Sequence, residues 1–227
     1  MTKKAICLLS GGLDSSVTLA IAKSEGYEVY ATTFIYGQTH SKEIEAAKKI
    51  AKHFKVREHK IISLDLSEIA KSSLISGAEI PTGRSAEEII SCKEIPSTYV
   101  PGRNIIFLSL ALAYAESIDA DAIFIGANAV DFAGYPDCRP EFFEKFQELI
   151  NIGTKRGVEG NPIKIKTPII NLTKAEIIKK GLSLGVPFEL TWSCYLGKEK
   201  ACGKCDSCIL RLKGFKEAGL KDPIEYE

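Results

Sequence analysis

Two stretches of this sequence carry residue types at spacings that chemistry uses. The first is Ser10-Gly11-Gly12-Leu13-Asp14-Ser15-Ser16, which follows the apolar run from Ala5 to Leu9. Two glycines let the backbone approach a ligand with no Cβ in the way. A strand, a glycine turn and a helix start make an anion site, because unpaired N–H groups and the helix dipole point at the ligand. Ser10, Ser15 and Ser16 add hydroxyl donors. Asp14 repels bare phosphate, and a magnesium ion between them resolves the conflict, since Mg²⁺ binds one or two carboxylates together with phosphate oxygens. The plainer alternative is a polar turn with Asp14 as a helix cap. Two familiar nucleotide loops are excluded. G-x-x-x-x-G-K-[ST] needs a second glycine and a lysine that are absent, and G-x-G-x-x-G does not match Gly11-Gly12-Leu13-Asp14.

The second stretch is Cys194-x7-Cys202-x2-Cys205-x2-Cys208. Overlapping C-x-x-C turns bring three sulfurs to one point, and Cys194 reaches it from an adjoining loop. Four thiolates suit tetrahedral Zn²⁺ in a closed structural site. Gly203 and Lys204 fit the tight knuckle, and Lys198, Lys200, Arg211 and Lys213 offset the thiolate charge. Iron–sulfur ligation is the other reading, although the C-x2-C-x2-C-x3-C-P continuation is missing. The remaining cysteines, Cys7, Cys92 and Cys138, are scattered and read as bystanders.

The elements that must position these residues follow from periodicity. Lys4–Leu9 reads as a buried strand, Asp14–Glu25 as a helix, Glu28–Ile35 as a strand, Ser41–Phe54 as a helix and Val56–Ile62 as a strand. Alternation of this kind implies a parallel sheet with right-handed crossovers. Residues 76–101 contain three prolines and no sustained period, and read as a long functional loop. Gly102–Ser117 is an apolar helix, Asp121–Gly126 a strand, 128–140 an irregular loop, Glu141–Ile150 a helix, 151–162 a connection and Ile163–Thr167 a strand. Thr173-Lys-Ala-Glu176 fits a capping box opening a helix that ends near Leu184, and Ile209–Ala218 closes the chain as a short helix.

With 227 residues, 45% apolar content and net charge +1, the chain is an ordinary globular α/β protein without the basic stripe of a dedicated nucleic-acid binder. The opening apolar run is too short for a signal core or a membrane span, so a cytoplasmic location is expected.

The loops supply recognition chemistry. Arg103, in Tyr99-Val-Pro-Gly-Arg-Asn104, offers a planar fork for a carboxylate or phosphate. Asp131, Tyr135 and Asp137 offer carboxylates for a guanine-like edge and an aromatic face for stacking. His40 reads as a surface hydrogen-bonding residue or a proton shuttle.

Ser10-Gly11-Gly12-Leu13-Asp14-Ser15 resembles the motif of the ATP pyrophosphatases, the PP-loop superfamily. Together with Tyr36-Gly-Gln-x-His40, Tyr99-Val-Pro-Gly-Arg-Asn104, Asp131-x-x-Gly-Tyr-Pro-Asp-Cys-Arg139 and Thr191-Trp-Ser-Cys-Tyr195, the chain resembles 7-cyano-7-deazaguanine synthases over nearly its whole length. Thr39 stands where many relatives carry a basic residue.

The resemblance implies an α/β fold of the adenine nucleotide alpha hydrolase-like type. It is a parallel twisted sheet with helices on both faces, over residues 1–187, followed by a small zinc-binding tail at 188–227. It implies conversion of 7-carboxy-7-deazaguanine, ammonia and ATP to 7-cyano-7-deazaguanine in queuosine or archaeosine biosynthesis. ATP with Mg²⁺ is then the co-substrate and one structural zinc the resident metal, held by Cys194, Cys202, Cys205 and Cys208.

Leu8, Leu9, Ser10, Gly11, Gly12, Leu13, Asp14, Ser15, Ser16, Val17 and Thr18 would enclose the ATP phosphates. Asp14, Ser15, Arg103 and Lys174 would act in the chemistry; Lys174 reads equally as a phosphate contact or as a solvated first-turn lysine. Tyr99, Arg103, Asn104, Asp131, Tyr135 and Asp137 would face the deazaguanine. The resemblance further implies a homodimer with no direct nucleic-acid or membrane partner. The alternatives are a tRNA-thiolating PP-loop enzyme, an amide-forming ligase, and a zinc-knuckle nucleic-acid module that leaves the first 190 residues without a task.

Overall fold

A computed structural model describes residues 2–38, 41–75, 79–92, 94–128, 134–197 and 199–227. Asp131 and His40 lie outside them. The elements run β1 (Lys4–Leu8), α1 (Leu13–Ser24), β2 (Glu28–Ile35), α2 (Lys42–His53), β3 (Glu58–Ser63), α3 (Ala86–Ser91), α4 (Arg103–Ser117) and β4 (Ala122–Phe124). They continue with α5 (Pro140–Gly153), α6 (Lys155–Val158), β5 (Lys164–Lys166), α7 (Lys174–Ser183) and α8 (Asp206–Glu217). The five strands form one parallel sheet in the order β3-β2-β1-β4-β5.

β1 explains why helices cover both faces. Successive side chains point to opposite sides, and both sides of Lys4–Leu8 are apolar. Ile6 and Leu8 join a cluster with Phe34, Leu108, Ala111, Ile123, Phe146 and Ile150, built from α4 and α5. Ala5 and Cys7 join Leu19, Val29, Ala47, Ile50 and Phe124 on the face covered by α1 and α2. A third cluster, holding Val17, Ile21, Ile177, Ile178, Phe188 and Phe215, ties α1 to α7 and α8.

The order reverses between β1 and β4. In open α/β sheets ligands bind at such a switch point, beyond the carboxyl ends of the strands. The loops leaving those two strands, at Leu9–Gly12 and Ile125–Asn128, therefore border one crevice.

Three expectations are corrected. Residues 76–101 are not wholly irregular, because Ser85 opens α3 with a capping box: Glu88 N–H donates to Ser85 Oγ at 3.2 Å and Ser85 N–H donates to Glu88 Oε2 at 2.7 Å. The connection 151–162 contains the single turn α6, started by the Thr154 hydroxyl. The last helix begins at Asp206, three residues before Ile209, because Cys205 is its N-cap.

Candidate active site

The glycine turn is held by its own serines. Ser10 N–H donates to Ser15 Oγ at 3.2 Å, Gly12 N–H donates to Ser10 Oγ at 3.2 Å, and Ser16 Oγ donates to the Gly12 carbonyl at 2.8 Å. Gly11 sits at φ +84°, and a Cβ there would collide with the Glu43 carbonyl and the Ala47 amide of α2. A Cβ on Gly126 would lie 3.0 Å from Asp14 and Ser15 backbone atoms, so the loop after β4 also presses on this turn. The Trp192 N–H closes the ring by donating to the Gly11 carbonyl at 2.9 Å.

Asp14, in the first turn of α1, accepts two bonds from Lys174 Nζ at 2.9 and 2.8 Å. The Lys174 side chain is only 12% exposed, which removes the reading of a solvated lysine. Its place follows from the Thr173–Glu176 capping box, which starts α7 one residue earlier. The stem of Lys174 crosses α8 at Gly214, where a Cβ would overlap the Lys174 Cβ and Cγ. Alanine in a helix interior normally gains about 1 kcal/mol over glycine. Gly214→Ala is nevertheless expected to shift Lys174 off Asp14 and raise the KM for ATP about 10-fold or more, since small displacements of positioning groups are costly. Steady-state kinetics with varied ATP checks this.

These residues border a cavity of about 300 Å³, at the small-molecule end of pocket sizes. Ser10, Gly12, Asp14, Ser15 and Lys174 line it together with Tyr36, Glu43, Arg103, Asn104, Tyr135, Trp192 and Tyr195. The Arg103 guanidinium lies 5.8 Å from the Tyr36 ring centre, a cation–π contact. The Tyr135 hydroxyl lies 2.7 Å from Thr98 Oγ1. Burial pushes the Glu43 carboxyl up to about 7, against the lowering influence of Arg103 and with a smaller upward push from Cys194.

Several expected site residues fall elsewhere. Ser16, Val17 and Thr18 are buried under the turn, with Val17 in the α1–α7 core, because the helical period carries them away from the cavity. Gly11 contributes close backbone approach rather than lining. Asp137 is 5% exposed, and its carboxylate accepts the Asn104 N–H at 3.2 Å, so it holds the start of α4 instead of facing the cavity. Tyr99 sits behind Tyr135, ring centres 6.0 Å apart, and its hydroxyl accepts from Gly102 N–H. Glu43, Trp192, Tyr195 and Gly214 gained no functional role from the sequence. Glu43 looks like an ordinary acid in a first helical turn, while Trp192 and Tyr195 carry a signal in the Thr191–Tyr195 segment.

Beside this cavity the four cysteine sulfurs of residues 194, 202, 205 and 208 are buried and lie within 4.8 Å of one another, with no disulfide. A tetrahedron with metal–sulfur bonds of about 2.3 Å has edges near 3.8 Å, so a small contraction closes the cluster on an ion. The Cys202 N–H points at Cys194 Sγ at 3.4 Å, and the Lys204 and Cys205 N–H groups point at Cys202 Sγ at 3.4 and 3.3 Å, an arrangement that stabilises thiolate. The set fits a metal ion. Buried Arg211 fastens the surroundings: it donates to Asp222 at 2.7 and 2.9 Å, to Thr191 Oγ1 at 2.7 Å and to the Phe188 carbonyl at 3.1 Å.

A serine–glycine turn at the switch point of a parallel sheet, with an acid and a lysine in place of a P-loop lysine, defines the PP-loop class of adenine nucleotide alpha hydrolase-like proteins. A solved 4-thiouridine synthetase–RNA complex with bound ATP shares this fold, with TM-score 0.53 and 17% identity, over 99% of this chain and 47% of that one. Within the class, the pattern of the family described as Queuosine biosynthesis protein QueC matches residues 4–219, and the chain belongs to that family. It is 56% identical over 225 residues to a 7-cyano-7-deazaguanine synthase of Acetivibrio thermocellus, spanning 99% of this chain and 98% of that one. A protein of the same name from Thermoplasma acidophilum is 57% identical over 225 residues, spanning 99% and 92%.

Proposed function

We propose that this chain is an ATP-dependent ligase that converts 7-carboxy-7-deazaguanine and ammonia to 7-cyano-7-deazaguanine for tRNA-base biosynthesis. The observation that carries the reading is the single cavity in which the Asp14–Lys174 pair and the glycine turn meet Arg103, Asn104 and Tyr135.

A carboxylate is a poor acceptor for ammonia because it offers no leaving group. Attack of its oxygen on the ATP α-phosphorus expels pyrophosphate and leaves an acyl adenylate. Lys174 would neutralise charge building on the pyrophosphate, and Ser10 and Ser15, which line the cavity, would offer it their hydroxyls. Asp14 would hold Mg²⁺, which supplies further charge stabilisation. Arg103 aligns the substrate carboxylate, and Tyr135 offers its ring to the base. Ammonia displaces AMP to give the amide. The amide oxygen then attacks the α-phosphorus of a second ATP and expels pyrophosphate, and loss of AMP together with both nitrogen-bound protons gives the nitrile.

Asp131 remains the proposed reader of the guanine-like edge. Asp131→Asn is expected to raise the KM for 7-carboxy-7-deazaguanine by about 10²-fold, the scale of a lost charge-assisted hydrogen bond, with the KM for ATP little changed. Equal KM values for the carboxylate substrate reject the role. We assign zinc to the four cysteines, where it clips 188–227 to the domain at 1–187, and a cytoplasmic homodimer without direct nucleic-acid contact as the working form. Among the described residues no helix is long and apolar enough to cross a membrane.

A thiolating enzyme would want a reactive cysteine. Burial pushes the cavity-lining Cys138 thiol up to about 11, which disfavours that reading. Incubating the protein with ATP, ammonium and 7-carboxy-7-deazaguanine, and seeking the nitrile by mass, tests the proposal; unconsumed substrate overturns it.

A further inference from the structure

Glu43 has no task in the steps above, yet it lines the cavity. It is the second residue of α2. The absence of a Cβ on Gly11 lets the first turn of α2 press its backbone onto the phosphate-binding turn, so the Glu43 carboxylate is fixed beside that turn. Arg103 and Tyr36, which line the same cavity, reach it electrostatically from α4 and from the end of β2, and Cys194 from the segment before α8. Among the described lining residues the carboxylates are Asp14 and Glu43. Asp14 is paired with Lys174 and has its task above in the Mg²⁺–phosphate arrangement. Glu43 makes no side-chain hydrogen bond or ion pair among the described residues, although it lines the same cavity.

At neutral pH the nitrogen substrate arrives mainly as ammonium, a cation without a lone pair. It needs a negative site to hold it and an acceptor for one proton, next to the place where the acyl adenylate forms. We propose that Glu43 binds the incoming ammonium ion and takes the proton that frees its lone pair for attack. The inference rests on the nitrile-forming reading above.

In the step, an N–H bond of ammonium breaks and its proton passes to a Glu43 oxygen. The nitrogen lone pair forms a C–N bond to the acyl carbon, and the bond from that carbon to the AMP oxygen breaks with its electron pair. The amide nitrogen sheds one further proton to solvent, so ammonium and acyl adenylate yield amide, AMP and two protons. Placement of the carboxylate carries this role, and burial favours it by making Glu43 a better proton acceptor than an exposed acid.

The test compares the full-length protein with Glu43→Gln, which keeps the side-chain shape. Ammonium and hydroxylamine serve as alternative nucleophiles; hydroxylamine is unprotonated at neutral pH and gives a hydroxamate by the same displacement of AMP. Glu43→Gln is expected to lower kcat/KM for ammonium by about 10²- to 10³-fold, the scale of a lost general base. KM values for ATP and for the carboxylate should stay near wild type. With hydroxylamine the variant should match wild type within a few-fold. Wild-type use of ammonium by the variant overturns the inference. An equal loss with both nucleophiles also overturns it, because that pattern belongs to a residue that merely shapes the cavity. If the wild-type protein forms neither amide nor nitrile, the parent reading has failed and this one falls with it.

Discussion

Asp14→Asn is expected to lower kcat/KM for ATP by about 10²- to 10³-fold, the range found when one preorganised charge-stabilising group is removed, while the fold survives. Asparagine keeps the shape and can still accept a bond from Lys174, so the turn should persist. It loses the negative charge that balances Lys174 and that would hold Mg²⁺ against the phosphates. The Asp14 side chain is 30% exposed and Lys174 12%, so the pair is only partly desolvated, and its rupture should cost less stability than a fully buried pair. The two effects separate cleanly. If the pair were structural only, Asp14→Asn would shift Tm and leave ATP–pyrophosphate exchange intact. If Asp14 acts on the nucleotide, exchange collapses with little change in Tm. Raising Mg²⁺ should then recover part of the variant's activity, because weaker metal binding is offset by mass action.

How much of this was legible beforehand depended on how local each signal is. β2 runs over Glu28–Ile35 as expected, because its β-branched and aromatic residues declare a buried strand without outside help. Thr173 and Glu176 declared the start of α7 in the same way. Ser85 and Glu88 carry that signature too, but the prolines and glycines around them obscure it. The glycine turn was legible as an anion site, whereas the partner of Asp14 was not, since Lys174 lies 160 residues away. Glu43, Gly214 and Asp137 show the limit most clearly. Glu43 matters because Gly11 lets α2 come close, and Gly214 because Lys174 crosses it. Asp137 carries the right chemistry for base reading, but Asn104 claims its carboxylate. Each of these facts belongs to packing between distant segments, and no local pattern encodes them.

Stripping the metal, or replacing Cys205 by serine, is expected to lower Tm by about 10 °C or more. Structural zinc contributes many kcal/mol to folding in small sites, and in a domain of this size each kcal/mol moves Tm by roughly 2–4 °C. Cys205 is the sharpest probe because three segments meet there. It caps α8. It pairs with Thr82 in an isolated bridge, beside a Gly83 N–H bond to the Lys204 carbonyl at 3.0 Å. Next to it, Asp206 accepts two bonds from Arg84. Without the ion, four sulfurs crowded within 4.8 Å repel as thiolates or sit buried as thiols, and the knuckle loses its reason to close. Loosening should therefore spread in two directions. Through Thr82 and Arg84 it reaches the segment that leads to α3; through Ala201, bridged to Tyr226, it reaches the C-terminus. The face of β1 and β2 that packs on α1 and α2, with Ala5, Cys7, Leu19 and Val29, lies in an apolar cluster that holds none of the four cysteines, and it should keep its protection. Hydrogen exchange should thus show fast amides in 79–92 and 199–227 in the stripped protein and slow ones in β1. Metal analysis of the untreated protein should return about one zinc per chain, as a single four-thiolate site requires. Iron with sulfide in place of zinc, or a stripped protein with unchanged Tm, would reject the role given to the cluster.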